Sequence, residues 1–257
     1  MIKKILKYVK RFLILVVGIS SLYLVNLFLM KPFSIDHFLG KELVVDLIDS
    51  PEALTYIGIF DRFNWITKHN SRLTIPSDDD INEEIESLEK SIKTLYKYKD
   101  SRLTDVQKNT KKIAIFDYEN NLKELKEFPH HDYPLNQIGG IHLNTIEFLS
   151  DMHPVRNISE AEGFIKRVNL IKQVYEGTLK DLEKQADAGI YPPEFVYVHV
   201  IEQLNEFIGF TYEEHPLFTQ FIKKVNDLDI TNEEKASLEK AIKNVIDESV
   251  TPGFILL

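Results

Sequence analysis

The sequence predicts an all-α protein, an N-terminal transmembrane helix followed by a helical domain. Three observations carry this reading. Residues 12–30, FLILVVGISSLYLVNLFLM, contain no charge; helix-start signals recur along the rest of the chain; and no alternating apolar and polar run exceeds a few residues. No Asn-Gly pair marks a hairpin turn.

The apolar run comes first. As a helix its residues would extend about 28 Å, close to the roughly 30 Å of a bilayer's hydrocarbon core. Lys3, Lys4, Lys7, Lys10 and Arg11 precede it and Lys31 follows it, a bias that places the N-terminus in the cytoplasm and the body outside. A cleavable signal peptide has a shorter apolar region, about 7–15 residues, ending in small residues. This run leads instead into MKPFSID, so the expectation is an uncleaved, single-pass signal anchor in the cell membrane, with a cleaved peptide as the alternative. The lipid bilayer is then the partner of residues 12–30. The division that follows is a cytoplasmic basic tip and anchor over residues 1–31 and one packed helical region over 32–257.

Within that region, Ser50-Pro51-Glu52 opens a helix, with a capping hydroxyl, a proline in the first turn and an acid against the dipole. Ile81, Ile85, Leu88, Ile92 and Leu95 recur at three- and four-residue spacing on the next helix. The acidic stretch from Asp78 to Glu89 is its solvated face. Thr104 and Gln107 form a capping box that opens a helix through about Leu125. Ser159 and Glu162 predict another, running to Ala188 and closed by Gly189. Pro192-Pro193 starts the following helix. Thr231 and Glu234 cap the last, expected to stop before Pro252.

Composition excludes several functions. The chain of 257 residues has no cysteine, hence no disulfide, no thiolate ligand and no cysteine nucleophile. Residues 1–31 hold six basic residues and no acid, so the remaining 25 basic and 40 acidic residues leave a net charge of −15. A body that acidic repels phosphate backbones, and nucleic-acid binding is not expected.

The chemistry-bearing motifs are sparse. H-E-x-x-H, in which two histidines one turn apart grip zinc beside a glutamate base, is absent. His199 and Glu202 sit three apart on an expected helix, a spacing more common in surface pairs than in metal sites. The stretch HHDYPLNQIGGIH holds His130, His131 and His142, but adjacent loop histidines do not normally aim at one ion. Gly139-Gly140 lies in no phosphate-binding loop, and no G-x-S-x-G elbow occurs. Residue chemistry favours a polar loop between helices over a metal site, with no catalytic or metal-ligating residue assigned.

Four segments follow one another in a suggestive order: SPEALTYIGIFDRFNWITKHNSRLT; FPHHDYPLNQIGGIHLNTIEFLSDMHPVRNISEAEGFIKRV; GIYPPEFVYVHVIEQL; and HPLFTQF. Together they resemble the N-terminal half of the bacterial DUF885 family over about residues 45–252. The resemblance implies kinship with thermolysin-like zinc peptidases, whose H-E-x-x-P-G-H-type motif and zinc would belong to a second half. No cofactor is therefore expected in this chain, which looks truncated before the catalytic half. The four-residue apolar ending, Phe254 to Leu257, strengthens that expectation, unless those residues tuck back onto the body. In the full-length setting, His131, Tyr133, Asn136 and Gln137 would face a cleft and contact a peptide substrate. A separately encoded C-terminal half is the other implied partner. The competing function is a membrane-tethered helical binding module without chemistry.

Overall fold

Caps and prolines set the helix boundaries in the computed structural model, which describes residues 2–77 and 80–257. Among the described residues thirteen α-helices follow one another: α1 (Ile2–Leu29), α2 (Ile35–Asp49), α3 (Pro51–Ile57), α4 (Asn64–Thr67), α5 (Asp80–Tyr96), α6 (Asp105–Glu127), α7 (Ile141–Glu147), α8 (Ile158–Val168), α9 (Ile171–Asp187), α10 (Glu194–Gly209), α11 (Pro216–Asn226), α12 (Asn232–Val245) and α13 (Thr251–Leu256). Five-residue π-helical turns link α7 to His153 and α12 to α13. Helix accounts for 77% of the structure and no strand occurs among the described residues, which establishes the all-α class.

Several caps lie where the sequence places them. Ser50 accepts from the Ala53 amide at 3.3 Å, and Gly58, at φ 69°, ends α3 in the left-handed region. Thr104 and Gln107 exchange reciprocal bonds, as do Thr231 and Glu234. Pro193 caps α10. Of the acidic stretch, Asp78 and Asp79 lie outside the described residues.

Two expectations fail. The helix expected from Ser159 to Ala188 is two helices. Asn157 caps the first by accepting from the Glu160 amide at 3.0 Å. The break falls at Asn169-Leu170, where Ser249 donates to the Asn169 side chain at 2.7 Å. Nor does the chain stop being helical before Pro252. The ladder widens to a π-turn over Ile246–Val250, and Pro252 enters the first turn of α13, the helical position where proline is best tolerated.

Contacts group the chain into two compact units, one of residues 1–46 and 81–127, the other of 47–80 and 128–257. Compactness thus divides the chain elsewhere than residue 31, where charge and hydropathy change.

Unit 1 contains α1, most of α2, α5 and α6. Its core is small: Ile35, Phe38, Leu95 and Tyr98, flanked by Leu39, Leu103, Ala114, Ile115 and Tyr118. The buried Tyr98 hydroxyl donates to the carbonyl oxygens of Pro32 at 2.8 Å and Ser34 at 3.2 Å. Helix α1 is long and apolar enough over Lys4–Leu29 to cross a membrane, and almost none of it is buried. Asn26, the amide inside its apolar run, closes the helix: it donates to the Lys31 carbonyl and accepts from the Phe33 amide, both at 3.0 Å.

Unit 2 holds the remaining helices around a larger core. Phe164 of α8 stacks on Phe221 of α11 at 4.8 Å. Phe254 of α13 stacks on Phe207 of α10 at 4.6 Å and meets Tyr175 of α9 edge-on at 5.3 Å. Burying each such ring stabilises by about 1.5–3 kcal/mol. The apolar ending is therefore split. Phe254 is core and Leu257 packs partly against it, whereas Ile255 stands 65% exposed.

Candidate functional site

The stretch from Phe128 to Gly140 forms an irregular loop between α6 and α7, within unit 2. His130 adopts φ 66°, uncommon for a residue with a side chain. His131 is exposed, its Nδ1 is 3.1 Å from the Pro129 carbonyl, and its ring meets Phe128 edge-on. Asn136 organises the turn: its side-chain oxygen accepts from the amides of Ile138 and Gly139, and its nitrogen donates to Tyr133's carbonyl. Gly140 is required there, because a Cβ would lie 2.6 Å from the Asn136 carbonyl oxygen.

Beneath the loop, Gln203 of α10 ties the segment down. Its amide nitrogen donates to the Gln137 carbonyl at 3.1 Å, and its oxygen meets Nε2 of His142 at 3.0 Å. His142 is fully buried, and burial lowers its pKa. The pair fixes Nε2–H as the donor and leaves Nδ1 unpartnered. Gln185 of α9 holds the loop's other flank by donating to the Asp132 carbonyl.

Next to this loop lies a cleft of about 290 Å³, lined by Tyr133, Leu135, the end of α9, the Tyr191-Pro192 turn and the inner face of α10. Val196, Val200 and Leu204 make an apolar floor. Tyr133, Tyr191 and Tyr197 gather at it closely enough that burial first, and then Tyr191 and Tyr133, raise the Tyr197 pKa. Tyr191 donates to the Ala186 carbonyl at 2.9 Å. The hydroxyls of Tyr133 and Tyr197 make no hydrogen bond to the described residues. On its outward side α10 also exposes Phe195 and Val198, while the half-exposed Ile201 lines the cleft. An apolar floor with amphipathic rims suits an extended segment carrying bulky side chains.

Of the four residues expected to contact substrate, only Tyr133 lines this cleft. Asn136 is engaged with loop backbone, Gln137 lends its carbonyl to Gln203, and His131 lies against Pro129.

A second, larger cleft of about 510 Å³ is lined by Tyr56, Leu73, Pro76, Ile141, Phe148 and Met152, with Glu52 and Glu147 among its carboxylates. Behind Phe148, 5.1 Å from its ring, is the guanidinium of Arg167. Arg167 has no exposure. It donates to the carbonyls of Pro51 (3.1 Å), His69 (2.5 Å) and Arg72 (2.7 Å), to the Thr55 hydroxyl (2.8 Å) and to Nδ1 of His153 (3.0 Å). Burial lowers its pKa to about 10, so it stays charged. Burial, and then Arg167, push His153 down to about 3. Around this hub, Arg156 bridges Glu160 and Asp61, and Asp61 lies 3.3 Å from Nε2 of His69. Sequence reasoning missed this network. The signal was present: Arg167 follows Phe164 by three residues, on the buried stripe of α8.

The donor set does not fit a catalytic zinc, which needs three protein ligands and an open position. His142 is committed to Gln203, His131 lies against a carbonyl, and His199 pairs with Glu202 at 3.3 Å on an exposed helix face. No group of three or more His, Cys, Asp or Glu placed to hold a metal occurs among the described residues.

Comparison with known proteins finds a family and a solved structure that resemble this chain. The model of the DUF885 family, described as bacterial protein of unknown function, matches residues 51–255. The fold is similar to the crystal structure of a "putative lipoprotein" from Colwellia psychrerythraea, with a TM-score of 0.67 and 16% identity over 82% of this chain. This chain spans 38% of that protein's chain. No curated protein matches the sequence.

Proposed function

This chain belongs to the DUF885 family, and on that premise we propose that it is a membrane-anchored helical binding module whose tyrosine-rimmed cleft takes an extended polypeptide segment. It corresponds to the non-catalytic half of a zinc metallopeptidase and does not hydrolyse peptides alone. The observation that carries the reading is the cleft itself. The segments 130–142 and 189–204, far apart in sequence, supply its three tyrosines and its apolar floor. Tyrosines at such a site bury large area at low entropic cost while their hydroxyls select backbone groups. The sequence lacks H-E-x-x-H, which supports a role in holding rather than cutting.

Fluorescence polarisation with a panel of labelled peptides rich in apolar and aromatic residues tests this. Tyr133→Ala and Tyr197→Ala should each weaken binding about tenfold or more, the ordinary cost of truncating an aromatic anchor. Equal affinity in wild type and both variants would remove the cleft from the account. Elemental analysis after dialysis and a mixed-peptide cleavage assay test the second clause. One zinc per chain, lost on replacing His130 and His131, would make that loop a metal site instead.

One observation favours a second occupant for the same face: the similar structure has a much longer chain. A separately encoded C-terminal half could then dock where the peptide would. A neighbouring reading frame encoding H-E-x-x-P-G-H, whose product restores peptidase activity on mixing, would establish that arrangement.

A further inference from the structure

The region outside the first 31 residues is strongly acidic, yet one part of unit 1 is not. Residues 97–112, KYKDSRLTDVQKNTKK, carry six basic side chains and two acids. The fold brings the start of this segment to the foot of α1. Lys31 lies over the Tyr98 ring at 4.0 Å, and the Tyr98 hydroxyl holds the carbonyls of Pro32 and Ser34. Between them is a groove of about 230 Å³ whose lining includes Lys31, Phe33, Lys97, Lys99, Arg102 and Gln107.

The neighbouring acids are already engaged. Asp100 pairs with Lys111 at 2.8 Å and Asp36 accepts from Gln107 at 2.6 Å. Lys97, Lys99 and Arg102 are exposed and form no ion pair among the described residues. Phe33, 75% exposed, stands beside them. A cationic groove with an exposed aromatic, two to four residues beyond an apolar helix, lies at the height where a bilayer presents its headgroups. Basic side chains at that level attract anionic lipid within a Debye length.

We propose that the Lys31–Lys97–Lys99–Arg102 groove at the foot of α1 is an anionic-lipid site that seats unit 1 on the membrane surface. The proposal rests on α1 being a membrane anchor and adds a second, composition-dependent contact to it. Arg102 and the two lysines cradle a headgroup phosphate, while Phe33 enters the interfacial layer.

The test uses the full chain reconstituted into lipid nanodiscs of phosphatidylcholine alone, or of phosphatidylcholine and phosphatidylglycerol at two to one. Hydrogen exchange of the backbone over residues 97–103 is the readout. Exchange should slow about fivefold or more in the anionic discs, return to the neutral-disc rate in high salt, and lose its lipid dependence in the triple variant K97E/K99E/R102E. A chain that enters both discs but exchanges identically in each overturns the site and leaves the anchor standing. A chain that enters neither overturns the anchor and the site together. Inorganic phosphate added to neutral discs is the third arm. Equal protection there would mean that the groove takes a free anion rather than a lipid.

Discussion

In unit 2 a guanidinium with no exposure sits among backbone carbonyls, whereas the ion pairs of unit 1 lie at or near its surface. The two arrangements distribute stability differently. Arg167 joins α8 to the start of α3 and to the His69–Arg72 segment, so one side chain bonds three carbonyls from two segments distant in sequence. Unit 1 has a four-residue buried cluster and pairs such as Lys126–Glu89 at 2.6 Å that water can replace. A buried network fails as a whole, while exposed pairs contribute about 0–1 kcal/mol each and fail one at a time.

The largest expected effect breaks the comparison at Arg167. Arg167→Met fills much of the volume but takes the donor from the Arg72 carbonyl and from Nδ1 of His153, and removes one bond each from the Pro51 and His69 carbonyls and Thr55, which keep others. A loss of about 3–5 kcal/mol is expected, within the range for removing one member of a buried polar network. Arg167→Lys should recover little, since an ammonium cannot span the same set of acceptors. Segment-resolved hydrogen exchange in urea gives the check. Residues 47–77 and 128–257 should lose protection, and residues 81–127 should keep theirs. Equal loss throughout would mean that the two units do not differ in the way argued.

Acid sharpens the same contrast. His153 is held to about 3 and His215 to about 4, burial being the first cause of each. Both rings are neutral in the fold, His153 accepting from Arg167 and His215 accepting from the Leu217 amide at 3.2 Å. Once unfolded they titrate near 6.5, so below that pH the unfolded state binds more protons and stability falls. The loss runs from about pH 6.5 down to about 4, at roughly 1.4 kcal/mol per pH unit for each ring, and His153 continues it toward 3. His69 and His142 shift in the same direction. In unit 1 the lowered groups are Glu89, held down by Lys126 and Lys93, and Asp100, held down by Lys111. Their contribution is present above the ordinary carboxylate range and is lost only as pH falls through the lowered values. Denaturation midpoints between pH 7 and pH 5 should therefore drop for unit 2 and hold for unit 1.

How far this was legible in the sequence follows from the same physics. Short-range chemistry was readable: the capping pairs at Thr104 and Thr231, the Ser50-Pro51 start and the apolar run of α1 all depend on neighbours within four residues. Helix breaks were not readable where the cause is distant, as at Asn169, which bonds Ser249 across the fold. The π-turn before Pro252 was lost for a different reason, because proline usually marks an end and here serves as a beginning. The candidate site divides in the same way. The loop at 130–142 stood out as a string of polar residues, and Tyr133 with it. That Tyr191 and Tyr197 join it could not be read, since the reversal between α9 and α10 brings them there. Arg167 falls on the buried stripe of α8, a signal in the sequence, but the carbonyls that hold it come from distant segments that the stripe does not name.

The smallest effect tests whether unit 1 rests on its cluster or on its surface pairs. Tyr98 belongs to the cluster and also ties the segment after α1 to the turn after α5, through Pro32 and Ser34. Burial raises its pKa to about 12, so the hydroxyl is a donor at every working pH. Tyr98→Phe keeps the ring and the Phe38 contact at 6.3 Å but strands the Pro32 carbonyl, for an expected cost of about 1–2 kcal/mol. Lys126→Ala, which removes an exposed pair to Glu89, should cost clearly less. The informative quantity is the order of the two, read from urea midpoints for residues 81–127. If Lys126→Ala proves the more damaging, the long α5–α6 pairing rather than the cluster at the foot of α1 holds unit 1 together. The contrast between a packed unit and a surface-paired one would then be steeper than the core suggests.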